Sequence, residues 1–174
     1  AEIKAGTGKT NRTSGDMTLS NVTAGSLVAT NSGPTKGSDI VDNGVLTISG
    51  TSSFTTSVSN ADIAIDSTTN ALTGAVSLNT TGLTGHATLD NGTTALNMAA
   101  SNVGGSLTVT SGAAAGITDS GTVTVGGNLA ATTDANNGVI NLGTTTVTGT
   151  VALNTNGSGN ATLDNGTANL DLAA

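Results

Sequence analysis

Ala87–Ala100, ATLDNGTTALNMAA, returns as Ala161–Ala174, ATLDNGTANLDLAA, with ten of fourteen positions identical and a constant offset of 74. Repetition extends on both sides of this stretch. Leu72–Asn79 (LTGAVSLN) recurs as Val147–Asn154 (VTGTVALN), Ser20–Leu27 (SNVTAGSL) as Ser101–Leu107 (SNVGGSL), and Ile40–Gly50 (IVDNGVLTISG) as Ile117–Gly127 (ITDSGTVTVGG). The chain therefore reads as a leader, 1–19, and two copies of one long unit, 20–100 and 101–174. A repeat of this kind decides architecture before any single motif does.

Within each copy the same short strands recur. In the second they are Leu107-Thr108-Val109, Val123-Thr124-Val125, Ile140-Asn141-Leu142, Val151-Ala152-Leu153, Ala161-Thr162-Leu163 and Leu170-Asp171-Leu172. Each alternates apolar with polar, the period-two mark of a strand with one buried face, and each is bounded by Gly, Asn or Asp. The leader carries the same alternation at Ile3-Lys4-Ala5 and Asp16-Met17-Thr18-Leu19, which predicts a degenerate rung. Nowhere do apolar residues recur with a helical period.

Composition narrows the choice. The 174 residues include 35 Thr, 17 Ser, 19 Asn and 25 Gly, with one Phe, one Pro and no Trp, Tyr or Cys. A sandwich core needs aromatics, whereas a narrow solenoid is filled by Val, Leu, Ile and Ala stacked from turn to turn. The expected fold is all-β, a parallel β-helix with about 20 residues per rung, so that each copy makes about four rungs. With rungs ~4.8 Å apart the rod is roughly 40 Å long. Thr, Ser and Asn are expected to form hydrogen-bonded ladders along it. Gly and Asn take the left-handed backbone at corners. Asp-Asn-Gly occurs three times, at Asp42-Asn43-Gly44, Asp90-Asn91-Gly92 and Asp164-Asn165-Gly166, and is read as the corner itself.

Charge excludes several partners. Lys4, Lys9, Arg12 and Lys36 are the only basic residues, while residues 37–174 hold nine Asp and no Lys or Arg. That stretch offers no phosphate-tracking surface for nucleic acid and no attraction for anionic lipid; no apolar run is long enough for a membrane span.

Candidates for chemistry are few. Gly6-Thr7-Gly8-Lys9-Thr10 ends like a P-loop, but Ile3 stands where the motif requires its first Gly. His86 is the single His, so no His cluster can hold a transition metal, and its counterpart is Asn160. The Asp residues read as turn formers, since Asp90 and Asp164 share a slot and Asp42 has a similar one. A glycoside-cleaving carboxylate pair would need a groove, and grooves of that kind carry basic and aromatic residues this chain lacks after Lys36, Phe54 apart. The GGxGxD pattern of calcium-loaded β-rolls is absent. Thr-x-Thr pairs at 108/110, 122/124 and 148/150 suggest an ice-binding array, but Val45 and Thr47 replace 122/124 in the first copy. Seven Asn-x-Ser/Thr sequons match chance for this composition. The expectation is a non-enzyme with no catalytic, cofactor or metal site.

The strings SNVGGSLTVTSG, ITDSGTVTVGGNL, GVINLGTTTVTG and ATLDNGTANLDLAA resemble the repeat region of filamentous-haemagglutinin-like exoproteins, the large bacterial surface adhesins of two-partner secretion. The resemblance spans residues 16–174 in composition and rhythm. It implies a right-handed parallel β-helix, secretion to the bacterial cell surface and a part in adhesion or biofilm matrix. The family's Asn-Pro-Asn motifs are missing, and Pro34 is the sole proline, so these residues correspond to shaft. The ends read as those of an excerpt, since Ala99-Ala100 continues into Ser101 while Ala173-Ala174 has no cap. The expected role is a structural shaft whose partners are further segments of the same chain, with a host-cell or matrix receptor beyond it. The alternative is a self-assembling subunit of an extracellular filament or sheath, stacked end to end. A carbohydrate-binding or carbohydrate-active β-helix ranks last, since sugar stacking calls for Tyr or Trp.

Overall fold

The structure, a computed structural model, describes residues 2–5 (backbone), 15–33 and 37–173. They form 22 short strands and no helix. After β1 (Glu2–Ala5), the first turn is β2 (Met17–Leu19), β3 (Val22–Ala24) and β4 (Leu27–Asn31). The next two are β5 (Ile40–Asp42), β6 (Leu46–Ile48), β7 (Ser52–Ser59) and β8 (Ile63–Ile65), β9 (Ala71–Leu72), β10 (Val76–Thr81). Then follow β11 (Ala87–Asp90), β12 (Leu96–Met98), β13 (Ser101–Val103) and β14 (Leu107–Ser111), β15 (Ile117–Asp119), β16 (Val123–Val125). The last are β17 (Leu129–Thr133), β18 (Ile140–Leu142), β19 (Thr145–Val147), then β20 (Thr150–Asn154), β21 (Ala161–Leu163) and β22 (Asp171–Leu172).

Every pairing among them is parallel and joins one turn to the next. The chain is the expected parallel β-solenoid, three-sided, of about seven turns with about 22 residues per turn. One face runs unbroken through eight strands, β2-β5-β8-β11-β14-β17-β20-β22. In the lower half the second face is β3-β6-β9 and the third β1-β4-β7-β10. At β10 the third face forks, because Val76 pairs with Met98 of β12 while Asn79 pairs with Asn102 of β13. Above the fork β12-β15-β18-β21 and β13-β16-β19 are separate, narrower faces.

The fork corrects the expected relation between repeat and rung. Ala87–Leu89 lies on the eight-stranded face, whereas its duplicate Ala161–Leu163 pairs with β18 on another. Likewise Val76–Asn79 lies on the third face and its duplicate Val151–Asn154 on the first. An offset of 74 at about 22 residues per turn is three turns and one side, not four rungs. The second copy thus enters rotated by one face, and the long strands move with it. Below the fork they are β4, β7 and β10 of the third face; above it they are β14, β17 and β20 of the first. The shift is tolerated because every side obeys one rule, apolar in and polar out with a tight corner, so any side stacks on any other.

The core is a set of aliphatic columns. Met17, Ile40, Ile63, Ala87, Leu107, Leu129 and Val151 stand in register from β2 to β20, all buried. The single aromatic, Phe54, is fully buried and stacked on Ala29, whose small side chain leaves room for the ring. Polar inward residues close the corners. Thr56 donates to the Ala61 carbonyl, Thr80 to Gly85 and Thr133 to Gly138, each five residues on. At one corner the column is glycine: the amides of Gly105, Gly127 and Gly149 bond the carbonyls of Gly85, Gly105 and Gly127. A β-carbon on Gly149 would lie 2.6 Å from the Gly127 carbonyl oxygen.

Candidate functional site

The three Asp-Asn-Gly triplets are not equivalent. Asp90 turns its carboxylate onto the Gly92 amide at 2.8 Å, and Asp164 does the same for Gly166 at 2.8 Å. Both glycines take positive φ, 54° and 58°. The asparagine between them points inward and is buried. Asn91 Oδ1 accepts the Leu72 amide at 2.8 Å, and its Nδ2 donates to the Leu72 carbonyl at 3.1 Å and the Ala95 carbonyl at 3.0 Å. One side chain thereby supplies what a paired strand would supply above β9. Asn165 repeats this on Val147, accepting its amide at 2.7 Å and donating to its carbonyl at 3.3 Å. Asp42-Asn43-Gly44 is different. Asn43 is exposed and accepts from the Ser20 hydroxyl, while Gly44 is not left-handed. Asp42 instead receives the amides of Asp66 and Ser67 and the side chain of Asn70. In that turn Asn70 takes the inward role, accepting the Leu46 amide at 2.9 Å.

A second device runs along the edge that precedes the eight-stranded face. Asp16, Asp39, Asp62, His86, Ser106 and Asn128 each accept the backbone amide of the next turn's equivalent residue, ending at Thr150. The six bonds span 2.7–3.2 Å and step by 20 to 24 residues. The expected Thr/Asn ladder is thus largely a side-chain-to-backbone ladder. Its members share only an acceptor atom, so no repeated residue type betrays it. The usable signal is an acceptor-bearing residue immediately before each strand of one face. His86 belongs to this ladder: its Nδ1 accepts the Ser106 amide at 2.9 Å, which places the ring proton on Nε2.

The remaining candidates do not converge. Asp42 and Asp90 lie along one edge with Asp66 and Asp134; burial pushes the Asp90 carboxyl up, the Gly92 amide pulls it back, and those three carboxylates add to the rise. Asp164 stands on another face. Among the described residues no group of three or more His, Asp or Glu could hold a metal. Asp119 is committed to the amides of Gly143 and Thr144 and to the Thr144 hydroxyl. A depression of about 230 Å³ is lined by Thr122, Gly143, Thr144, Thr145, Asp164 and Gly166, without a nucleophile–base pair. Thr108 and Thr110 stack on Thr88 and Asp90 below and on Ala130 and Thr132 above, so that pair is not continued; Thr124 stacks on Asn102 below and Thr146 above, a Thr column only two turns deep. Gly6–Thr10 and Pro34 lie outside the described residues.

Comparison with characterised proteins and with solved structures gave no match. A family model described as "Repeats of unknown function (DUF5649)" matches residues 5–79 and 84–145. The break between the two matches falls at the end of β10, where the solenoid forks. Two successive matches covering most of the 174 residues place the chain in this repeat family.

Proposed function

We propose that the chain is a length of structural shaft in a secreted bacterial surface adhesin, serving cell adhesion or a biofilm matrix. The observation that supports this reading is continuity. The eight-stranded face runs the length of the described rod, and the acceptor ladder ties the turns a second time beside it. Side-chain acceptors that a binding or catalytic site would leave free are spent on backbone amides of the neighbouring turn. Partners in this reading are further segments of solenoid and, away from the shaft, a receptor.

Negative-stain electron microscopy beside sedimentation velocity tests the shaft. Discrete monomeric rods roughly 35 Å long, eight strands at ~4.8 Å spacing, are expected; compact globules overturn it. An antiserum against the chain is expected to label intact source cells, and label seen only after lysis overturns the surface assignment. The alternative reading, a filament subunit stacked end to end, is separated by the same measurement. Filaments lengthening with concentration would select it over the monomeric shaft.

A further inference from the structure

Five asparagines are followed by glycine: Asn43, Asn91, Asn137, Asn156 and Asn165. At such a pair the glycine amide, unhindered by a side chain, can attack the asparagine Cγ. The structure treats the five very differently. Gly92 and Gly166 give their amides to Asp90 and Asp164, and both asparagine side chains are bonded on oxygen and nitrogen. The Gly138 amide is held by the Ala135 carbonyl, and Asn137 Oδ1 by the Ser158 amide. Asn43 has its oxygen bonded to Ser20, and the Gly44 amide makes no hydrogen bond among the described residues. Only at Asn156 are both reactants unengaged: the side chain and the Gly157 amide make no hydrogen bond among the described residues, and both residues are exposed.

We infer that Asn156 is a site of spontaneous deamidation, and that the aspartate of the turns at 90 and 164 withholds the same reaction from buried Asn91 and Asn165. The Gly157 nitrogen loses its proton to solvent and bonds to Asn156 Cγ, the Cγ–Nδ2 bond breaks, and ammonia leaves. Water then opens the succinimide at either carbonyl, giving aspartate or isoaspartate with one added negative charge. Asn156 lies in the corner between β20 and β21, outside the paired strands, so the altered backbone leaves the ladders intact. The same product at Asn91 would unpair Leu72 in the interior. Asp90 and Asp164 therefore serve as chemical protection as well as turn formers, a role Asp42 does not share.

The test is peptide mapping by mass spectrometry after incubation of the folded chain in mildly alkaline buffer, with an equal sample in urea. Deamidation adds about 1 Da at the modified residue. Asn156 is expected to react at least about tenfold faster than Asn91 or Asn165 when folded, because freeing their bonded groups must precede attack. In urea all three are expected to react at similar rates. Asp164→Ala is expected to speed reaction at Asn165 several-fold, and Asp164→Asn, which keeps an acceptor for Gly166, to leave it slow. Equal folded rates at Asn91 and Asn156, an inert Asn156, or an Asn165 rate unchanged between the two Asp164 variants would overturn the inference.

Discussion

Asn91→Ala tests whether the inward asparagine acts as a surrogate strand. Truncation leaves the Leu72 amide, the Leu72 carbonyl and the Ala95 carbonyl without their partners, at a residue that is 0% exposed. Each buried group stranded in this way costs about 1–3 kcal/mol. Water entering the space left by the amide recovers part of that, so the expected loss is about 3–5 kcal/mol. Asn91→Asp sharpens the test. It retains an acceptor for the Leu72 amide but turns a carboxylate toward two carbonyl oxygens, so it destabilises at neutral pH and recovers as acid protonates it. Asn43→Ala is the control: the same motif, an exposed side chain and one surface bond to Ser20, with an expected change within about 0.5 kcal/mol. Urea unfolding followed by far-ultraviolet circular dichroism gives the differences, and hydrogen exchange at the Leu72 amide localises them. A loss below about 1 kcal/mol for Asn91→Ala, or equal losses at 91 and 43, would refute the surrogate-strand account.

Three further outcomes follow from particular atoms. Ser52 Oγ is buried between Leu27 below and Val76 above with no hydrogen-bond partner among the described residues, so Ser52→Ala is expected to raise stability by about 1 kcal/mol in the same urea titration. Asp90 has its carboxyl raised, chiefly by burial. The folded state then binds its proton more tightly than the unfolded chain does, so this group's contribution is fully present below the unfolded value near 3.8. It is lost as pH rises through the higher folded value. Asp90→Asn, which keeps the Gly92 acceptor, should gain stability at neutral pH and flatten that part of a pH–stability curve; an unchanged curve counts against the assignment. Asn128→Ala removes the acceptor of the Thr150 amide, for an expected cost of about 0.5–1 kcal/mol, with faster exchange confined to that amide.

Much of the architecture is legible in the residues because solenoid sides follow a local rule. Val123-Thr124-Val125 or Ile140-Asn141-Leu142 declares an inward and an outward face without reference to anything distant, and both are strands with the inward residues buried, Thr124 half-buried and Asn141 exposed. Ser52–Ser59 is harder. It is the longest strand, yet only Phe54 and Val58 in it are apolar, and its inward Ser52 and Thr56 are buried by their place in the stack. The asparagines show the limit most clearly. Asn43 and Asn91 sit in the same tripeptide, and one is exposed while the other is buried, because only Asn91 has the interior edge of β9 beneath it. The acceptor ladder is similarly invisible as a motif, since Asp, His, Ser and Asn fill its positions interchangeably.

The sequence by itself therefore determined the unit of construction: short alternating strands, glycine and asparagine corners, an aliphatic interior, and duplication at an offset of 74. Only the tertiary structure decided how that unit is wound. The length of a turn depends on which backbone edges come to lie ~4.8 Å apart, a relation between residues 20 or more positions apart in the chain. That winding closes in about 22 residues, which does not divide the repeat. The second copy is consequently turned by one face, β10 carries the fork that absorbs the mismatch, and identical tripeptides meet different neighbours.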